Sequence, residues 1–146
     1  MNGRRLVGYC TALVLLLLIS LQFACDKEGK EQVPNVYVNF MIDIGTGQYT
    51  ELQLIGGWVY VVGGYRGIIL RRNSLEEIVA LDRTSTYKPE TLGNQVVVGS
   101  DNLTAVDTAG GMKYLLMDGT VIEGPVSTPL KRYRTTFNGN TLHVYN

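Results

Sequence analysis

The side chains that most often build redox and metal centres are scarce in this sequence. It contains two cysteines, Cys10 and Cys25, and a single histidine, His143, which lies next to the C-terminus. A centre held by several thiolates and imidazoles needs more of both than the chain supplies. The composition therefore argues against such a centre before any fold is considered.

Oxygen chemistry has a few more candidates. A nucleophilic serine needs a base within hydrogen-bond reach, and Ser85 with Lys88 and Asp107 is the set to consider for a hydrolase. Asp107 with Asp101 or Asp118 could offer carboxylate oxygens to a hard cation, although calcium wants several oxygens at once. Neither set shows a regular spacing, so small polar residues that satisfy loop hydrogen bonds are the favoured interpretation.

The N-terminus has the pattern of an export signal. Arg4 and Arg5 precede an uncharged stretch over residues 6–21, of which residues 13–19 are all aliphatic. A basic start, a short apolar segment and a small residue before the cut are typical of a secretory signal peptide. The apolar run is short for a membrane-spanning helix, which needs about 20 residues.

The cleavage region resembles the bacterial lipobox, in which a small residue precedes a cysteine that is acylated. Ala24 and Cys25 fit that pattern, whereas Gln22 stands where the motif usually has Leu. We therefore predict a signal peptide over 1–24, lipid attachment at Cys25 and a polar tether over 25–34. The alternatives are ordinary cleavage near Ala24 without lipid and an uncleaved signal anchor.

Removal of the signal peptide would change the net charge and the thiol content of the chain. Without Arg4 and Arg5, the 13 basic residues fall to 11 against 13 acidic ones, which leaves a net charge of about −2. No basic patch suited to nucleic acid is indicated. The predicted membrane attachment comes from the lipid, and the predicted location is the bacterial cell envelope, on the periplasmic face or the cell surface. With Cys25 acylated, no thiol remains for a disulfide.

Residues 35–146 read as a single all-β domain. In residues 36–44, Val36, Val38, Phe40, Ile42 and Ile44 alternate with polar side chains, as in a half-buried strand. Further apolar, β-branched segments predict strands at 58–62, 67–70, 95–98, 114–117, 121–122, 133–137 and 142–145. Many short strands separated by turns predict an antiparallel sandwich or barrel.

Turn residues separate these segments. Gly56-Gly57 and Gly63-Gly64 mark two turns, and Asn138-Gly139 and Asp118-Gly119 predict tight hairpins of the primed type, in which both central residues need positive φ. No segment has a convincing helical period. The one short candidate is 73–80, where Ser74 could cap a turn.

The order of motifs resembles the Rieske-type domain of envelope lipoproteins. Residues 64–71 (Gly-Tyr-Arg-Gly-Ile-Ile-Leu-Arg) match its "rGiivyR" strand, and 80–83 (Ala-Leu-Asp-Arg) begin its "A-x-D-R-x-C-x-H" loop. The closing hairpin motif "dG-x-v-x-G-P-a-x-x-P-L-k-x-Y" is matched over 118–133, with one extra residue between Val121 and Gly124. The resemblance covers about 110 residues and implies a Rieske-like antiparallel β-sandwich or barrel with a small former cluster-binding subdomain.

The same resemblance indicates that the cluster ligands are missing. A Rieske cluster takes two cysteine thiolates and two histidine nitrogens. In the first loop these positions fall on Ser85 and Tyr87, and in the second on Asp107 and Gly110. We therefore expect no cofactor and no catalytic constellation.

These observations predict a lipid-anchored, non-catalytic interaction or structural module with a protein partner in the envelope. A Rieske electron-transfer protein is the disfavoured alternative, because the ligands are absent. A small-ligand binder or hydrolase that uses the two former ligand loops is another alternative.

Overall fold

The computed structural model describes residues 32–90 and 94–146. The predicted signal peptide, Cys25 and the first part of the tether lie outside the described residues. All strand pairs in the described part are antiparallel, and the strands form one sheet of six and one sheet of four. The prediction of an all-β fold is confirmed. Among the described residues, no helix is long and apolar enough to cross a membrane.

Ten strands follow one another along the chain: β1 Asn39–Asp43, β2 Trp58–Val61, β3 Ile68–Arg72, β4 Ile78–Asp82, β5 Val97–Val98, β6 Thr104–Asp107, β7 Met112–Leu115, β8 Val121–Glu123, β9 Arg132–Phe137 and β10 Thr141–Tyr145. The larger sheet has the order β1-β10-β9-β4-β3-β2, and the smaller has the order β5-β6-β7-β8. The first and last strands are therefore neighbours, while β5 to β8 are inserted between β4 and β9.

The larger sheet buries one face in a first core. The predicted alternation in β1 is confirmed, because Val38, Ile42 and Ile44 are buried and Met41 and Asp43 are exposed. The buried side chains of this strand meet those of its partners in a single cluster, whose members also include Ile68, Leu70, Ile78, Ala80, Tyr133, Leu142 and Val144. Burial of this one face is the main reason that the period-two pattern is visible in the sequence.

Strands β3 and β4 are covered on both faces. All five residues of each strand are buried. Ile69 and Leu81 project from the opposite face to Ile68 and Ala80, and pack in a second core with the smaller sheet. A strand buried on both sides has no polar alternation; β3 was predicted from its apolar, β-branched residues, whereas the first residues of β4 lay within the 73–80 helix candidate.

Two short segments differ from the sequence-based expectation. A 3₁₀ helix, Gly47–Gln53, follows β1 and buries Leu52 against the first core. Residues 73–80 form a turn that leads into β4 instead of a helix. Ser74 does cap that turn, since its Oγ accepts the backbone N–H groups of Glu76 at 3.2 Å and Glu77 at 3.1 Å.

The predicted hairpins form, but the primed turn type was wrong. Gly139 and Gly119 have positive φ, but their neighbours Asn138 and Asp118 do not. Among the described non-glycine residues, positive φ occurs at Lys88 and Asn102. Asn138 Oδ1 accepts backbone N–H groups from residues 140 and 141. These two side-chain hydrogen bonds stabilise a loop between β9 and β10 that is longer than a two-residue turn.

Strand directions define two ends of the larger sheet. We call the end of the sheet at which β1 begins the N-terminal end. The loops 62–67, 83–90 and 124–131 also lie at this end. We call the other the distal end, where β3 turns into β4. The two loops that the resemblance predicts as former ligand loops, 83–90 and 107–111, are both at the N-terminal end.

Candidate functional site

The first of these loops starts from a buried carboxylate. Asp82 is fully buried at the end of β4, and its Oδ1 accepts hydrogen bonds from Thr84 N at 2.9 Å and Thr84 Oγ1 at 2.5 Å. Its Oδ2 accepts from Tyr65 N at 2.8 Å and Tyr133 Oη at 2.6 Å. A Cβ at Gly64 would overlap this carboxylate. Four donors thus compensate the burial of the charge and tie three segments together.

The tyrosine of this group is electrostatically perturbed. Burial raises the pKa of Tyr133 well above its ordinary value, and the hydrogen bond to Asp82 and the negative charge of that carboxylate act in the same direction. The neutral phenol donates to the carboxylate, whereas a phenolate would repel it. Tyr133 therefore acts as a permanent donor at any physiological pH.

The tip of the loop is held by a second tyrosine, on β7. Tyr114 is fully buried, and its hydroxyl oxygen lies 3.2 Å from Ser85 Oγ, 3.0 Å from Thr86 Oγ1 and 2.9 Å from Thr86 N. Thr86 Oγ1 also donates to the carbonyl of Thr128 at 2.6 Å. One phenol therefore joins the loop 83–90 to the smaller sheet, and Thr86 extends the connection to the loop before β9.

The direction of each hydrogen bond follows from the donors available. The carbonyl of Thr128 can only accept, so it takes the single hydroxyl proton of Thr86. Thr86 Oγ1 must then accept from Tyr114, which leaves Ser85 Oγ to donate to the phenol oxygen. Ser85 Oγ also accepts from Tyr87 N at 3.3 Å. The Ser85 proton is thus committed to a phenol oxygen and is not shared with a base.

The four positions that the resemblance predicts as former ligands lie in two loops that meet. Ser85 and Tyr87 are in the first loop, and Asp107 and Gly110 are in the second. A Cβ placed on Gly110 would overlap Asp107 Oδ2 and would lie 3.0 Å from Tyr87 Cδ1. The ring of Tyr87 packs against the second core. Gly110 therefore lies close to both Asp107 and the Tyr87 ring.

Asp107 is the least satisfied group at this junction. Its Oδ1 accepts the N–H groups of Ala109 at 3.0 Å and Gly110 at 2.9 Å, which fixes the turn between β6 and β7. The residue is almost completely buried, and its Oδ2 has no hydrogen-bond partner. Burial of a carboxylate oxygen without a hydrogen-bond donor costs free energy of folding, and Asp107 Oδ2 is such an atom.

These residues do not fit an iron–sulfur cluster. They offer two hydroxyls, one carboxylate and a glycine, whereas a Rieske cluster is held by two thiolates and two imidazoles. A side chain at Gly110 would require Asp107 or the Tyr87 ring to shift. Within residues 32–90 and 94–146, no three His, Cys, Asp or Glu side chains come together in a way that could hold a metal ion.

The other predicted candidates lie apart. Asp101 and Asp118 are in turns at the distal end, so they do not join Asp107, and the proposed cation set is not assembled. A backbone N–H bond from the same turn lowers the pKa of each carboxyl. Lys88 Nζ lies over the Tyr87 ring, 5.2 Å from its centroid. His143 is on β10, where Nε2 contacts Asn39 Oδ1 at 2.7 Å.

Sequence reasoning missed the two residues that organise this region, Asp82 and Tyr114. Asp82 lies in the loop motif and Tyr114 in a predicted strand, but no structural role was assigned to either. A signal was available for Asp82, because an acidic residue at the end of an apolar segment must find donors if it is buried. No comparable signal identifies Tyr114, since its hydroxyl partners are far away in sequence.

Comparison of the chain with protein-family models and with curated proteins finds no match.

Proposed function

We propose that this protein is a lipid-anchored envelope component whose domain is a degenerate Rieske-like module with a non-catalytic, interaction or structural role. The resemblance in sequence order, the ten antiparallel strands and the meeting of the two loops support this proposal together. Acylation of Cys25 would attach the module to a membrane.

The observation that carries the proposal is the hydrogen-bond chain around Tyr114. It commits the hydroxyls of Ser85 and Thr86 to defined partners inside the protein. A catalytic serine needs its proton directed at a base, and the geometry here directs it at a phenol oxygen. The loop 83–90 is thereby bound to the smaller sheet through Tyr114 and to the loop before β9 through Thr128, as expected of a structural junction.

An iron measurement separates this proposal from the electron-transfer alternative. The chain is expressed without residues 1–24 and with Cys25→Ser, and is purified anaerobically. We expect less than about 0.2 iron per chain, which is a tenth of the two irons that one [2Fe–2S] cluster holds, and no visible absorbance from a cluster. Stoichiometric iron with a visible spectrum would contradict the assignment of Ser85, Tyr87, Asp107 and Gly110 as former ligand positions.

Metabolic labelling with a fatty-acid analogue tests the anchor. We expect the full-length protein to be labelled and to sediment with membranes, and Cys25→Ser to lose both properties, because Cys25 is the proposed acylation site. A Cys10→Ser variant is the matched control and should be labelled normally. Labelling that persists in Cys25→Ser would contradict the lipoprotein assignment while leaving the role of the domain open.

A further inference from the structure

Four turns meet at the distal end of the domain, although they are distant in sequence. Asn73 Nδ2 donates to the carbonyl of Met117 at 2.8 Å, and Leu116 N donates to the carbonyl of Leu103 at 2.9 Å. Trp58 Nε1 reaches Asn102 Oδ1 at 2.9 Å. These bonds join the turns 73–77, 99–103 and 116–120 to the start of β2.

The fourth turn, 54–57, is joined to β3. Gly56 N donates to the carbonyl of Arg72 at 2.8 Å, and Arg72 in turn donates to the carbonyl of Leu75 at 2.6 Å. Both sheets therefore contribute to one connected surface. We call it the distal surface and define it by the turns 54–57, 73–77, 99–103 and 116–120.

Large apolar side chains project from all four turns. They are exposed by more than half of their area, at 66% for Leu54, 61% for Ile55, 72% for Leu75, 55% for Leu103 and 53% for Met117. Single exposed apolar residues are common on any protein, but five on one connected surface are not. A contiguous patch rimmed by polar residues is typical of an interaction site.

Acidic side chains are concentrated around this patch. Six of the eight exposed acidic residues in the described part of the chain are at the distal end: Asp43, Glu51, Glu76, Glu77, Asp101 and Asp118. Glu90 and Glu123 are the other two. Arg71 and Arg72 are buried nearby. The guanidinium of Arg72 donates hydrogen bonds to the carbonyls of Ser74, Leu52 and Leu75. Arg132 Nη2 forms an ion pair with Glu77 Oε1 at 2.9 Å, so the negative charge of the rim comes from the other five acidic side chains.

We propose that the distal surface docks a partner protein whose contact face has apolar side chains surrounded by lysines and arginines. This inference deepens the proposed interaction role and rests on it. The apolar centre would supply affinity, and the acidic rim would attract the basic flanks of the partner. A second copy of this chain fits poorly, because two acidic rims would face each other across the contact.

Site-specific photo-crosslinking in the native cells locates the contact. The crosslinking residue is placed at Leu75 on the distal surface, at Val62 at the N-terminal end, and at Met41 on the exposed face of β1. Val62 is 97% exposed and Met41 is 69% exposed, against 72% for Leu75, so both control positions are accessible to a crosslinked partner. We expect one protein adduct from Leu75 that is absent from both controls.

The crosslinked protein is then purified, and its affinity for the full lipoprotein in detergent is measured. We expect Glu76→Lys to weaken binding about tenfold and the affinity to fall as salt rises, since rim charges act through screened attraction. Glu90→Lys, which makes the same charge change at the other end, should bind as the parent does. Leu75→Ala should weaken binding at least fivefold, with Val62→Ala unchanged.

The outcomes distinguish the surface from the function. An adduct from Met41 or Val62 alone would overturn the distal surface and leave an interaction role intact. An adduct between two copies of the chain, or a partner insensitive to Glu76→Lys, would overturn the stated chemistry of the partner. The absence of any adduct from all three positions would overturn both the surface and the interaction role.

Discussion

Two buried carboxylates near the loops 83–90 and 107–111 differ in how many hydrogen-bond donors they receive. Asp82 receives four donors, which is close to all that a carboxylate can accept. Asp107 receives two donors on one oxygen and none on the other. The first residue therefore stabilises the start of its loop, whereas the second positions a turn at an energetic cost.

Tyr133→Phe tests the role of the Asp82 network through pH. Because the folded state raises the pKa of Tyr133, the unfolded chain loses its phenol proton first, near the ordinary value of 10.0. Stability should therefore be unaffected at neutral pH and fall as pH rises above 10, by up to about 1.4 kcal/mol per pH unit. In Tyr133→Phe that decline should be smaller, although the loss of the hydrogen bond should cost about 1–3 kcal/mol at pH 7.

Urea unfolding at pH 7 to 11 measures both effects. Tyr37→Phe is the matched control, because Tyr37 is 77% exposed and should change neither quantity. An alkaline decline as steep in Tyr133→Phe as in the parent would show that other groups cause it.

Gly110→Ala tests how tightly the two former ligand loops meet. The added Cβ would overlap Asp107 Oδ2 and crowd the Tyr87 ring, so either the ring or the turn must shift. We expect a loss of about 1–3 kcal/mol in the free energy of unfolding, as is typical of overpacked sites. Gly47→Ala, with nothing within 4 Å of the new atom, is the control and should be close to neutral. Equal effects in the two variants would contradict the close contact.

The residues of this junction differ in how well the sequence predicts them. Ser85, Tyr87, Asp107 and Gly110 were grouped only by the resemblance, since nothing in their local pattern brings the two loops together. The partners of each side chain are decided by packing at long range. Tyr114 contacts residues 28 and 29 positions away, and no local rule specifies such a pair.

At the scale of elements, the smaller sheet holds the loop 83–90 through one phenol. Tyr114→Phe keeps the buried ring but removes the oxygen that accepts the Thr86 N–H. That amide would be left buried without a partner, which costs about 1–3 kcal/mol. We expect a lower free energy of unfolding and faster hydrogen exchange at the Thr86 amide than at amides of β3.

Tyr145→Phe provides the control for this prediction, since Tyr145 is only half-buried at the end of β10, away from the loop 83–90. Exchange at Thr86 that stays as slow in Tyr114→Phe as in the parent would mean that the loop is fixed by its other bonds, such as Ser85 N to the carbonyl of Asn94 at 2.9 Å.

Elements with one buried face were the clearest to predict from the sequence. β1 and β10 alternate in burial and were found from their pattern. β4 is as apolar as β3, which was predicted, but its first residues lay within the 73–80 helix candidate, and β6 has only two apolar residues, Ala105 and Val106. The 3₁₀ helix Gly47–Gln53 buries a single side chain, Leu52, which gives no amphipathic signal. Local patterns thus identify a strand most clearly where one side faces water.

The whole molecule is electrically asymmetric along the direction of its strands. Exposed acidic side chains are concentrated at the distal end, whereas Arg66, Lys88 and Lys131 are at the N-terminal end. The same N-terminal end receives the chain, since Lys131 Nζ donates to Asn35 Oδ1 at 2.9 Å and Asn146 Nδ2 donates to the carbonyl of Val36 at 2.7 Å. These bonds fix the point at which the tether reaches the domain.

That asymmetry predicts how the domain is oriented if Cys25 carries lipid. Seven peptide units join Cys25 to Gln32, so a fully extended tether spans about 25 Å at most. The basic N-terminal end must then stay close to the bilayer, where each Lys or Arg gains about 1 kcal/mol from anionic lipids. The distal surface would point away from the membrane and remain accessible to a protein partner.

Fluorescence quenching in vesicles can measure this orientation. The acylated protein has no free thiol, so Val62→Cys and Leu75→Cys each introduce a single site for a fluorophore, one at either end of the domain. In vesicles with anionic lipids and a quencher on the headgroups, we expect the label at position 62 to be quenched more strongly than the label at position 75. Cys25→Ser forms of both variants should show little quenching, because they lack the anchor. Stronger quenching at position 75 would mean that the distal surface faces the lipid, and a protein could then not dock there.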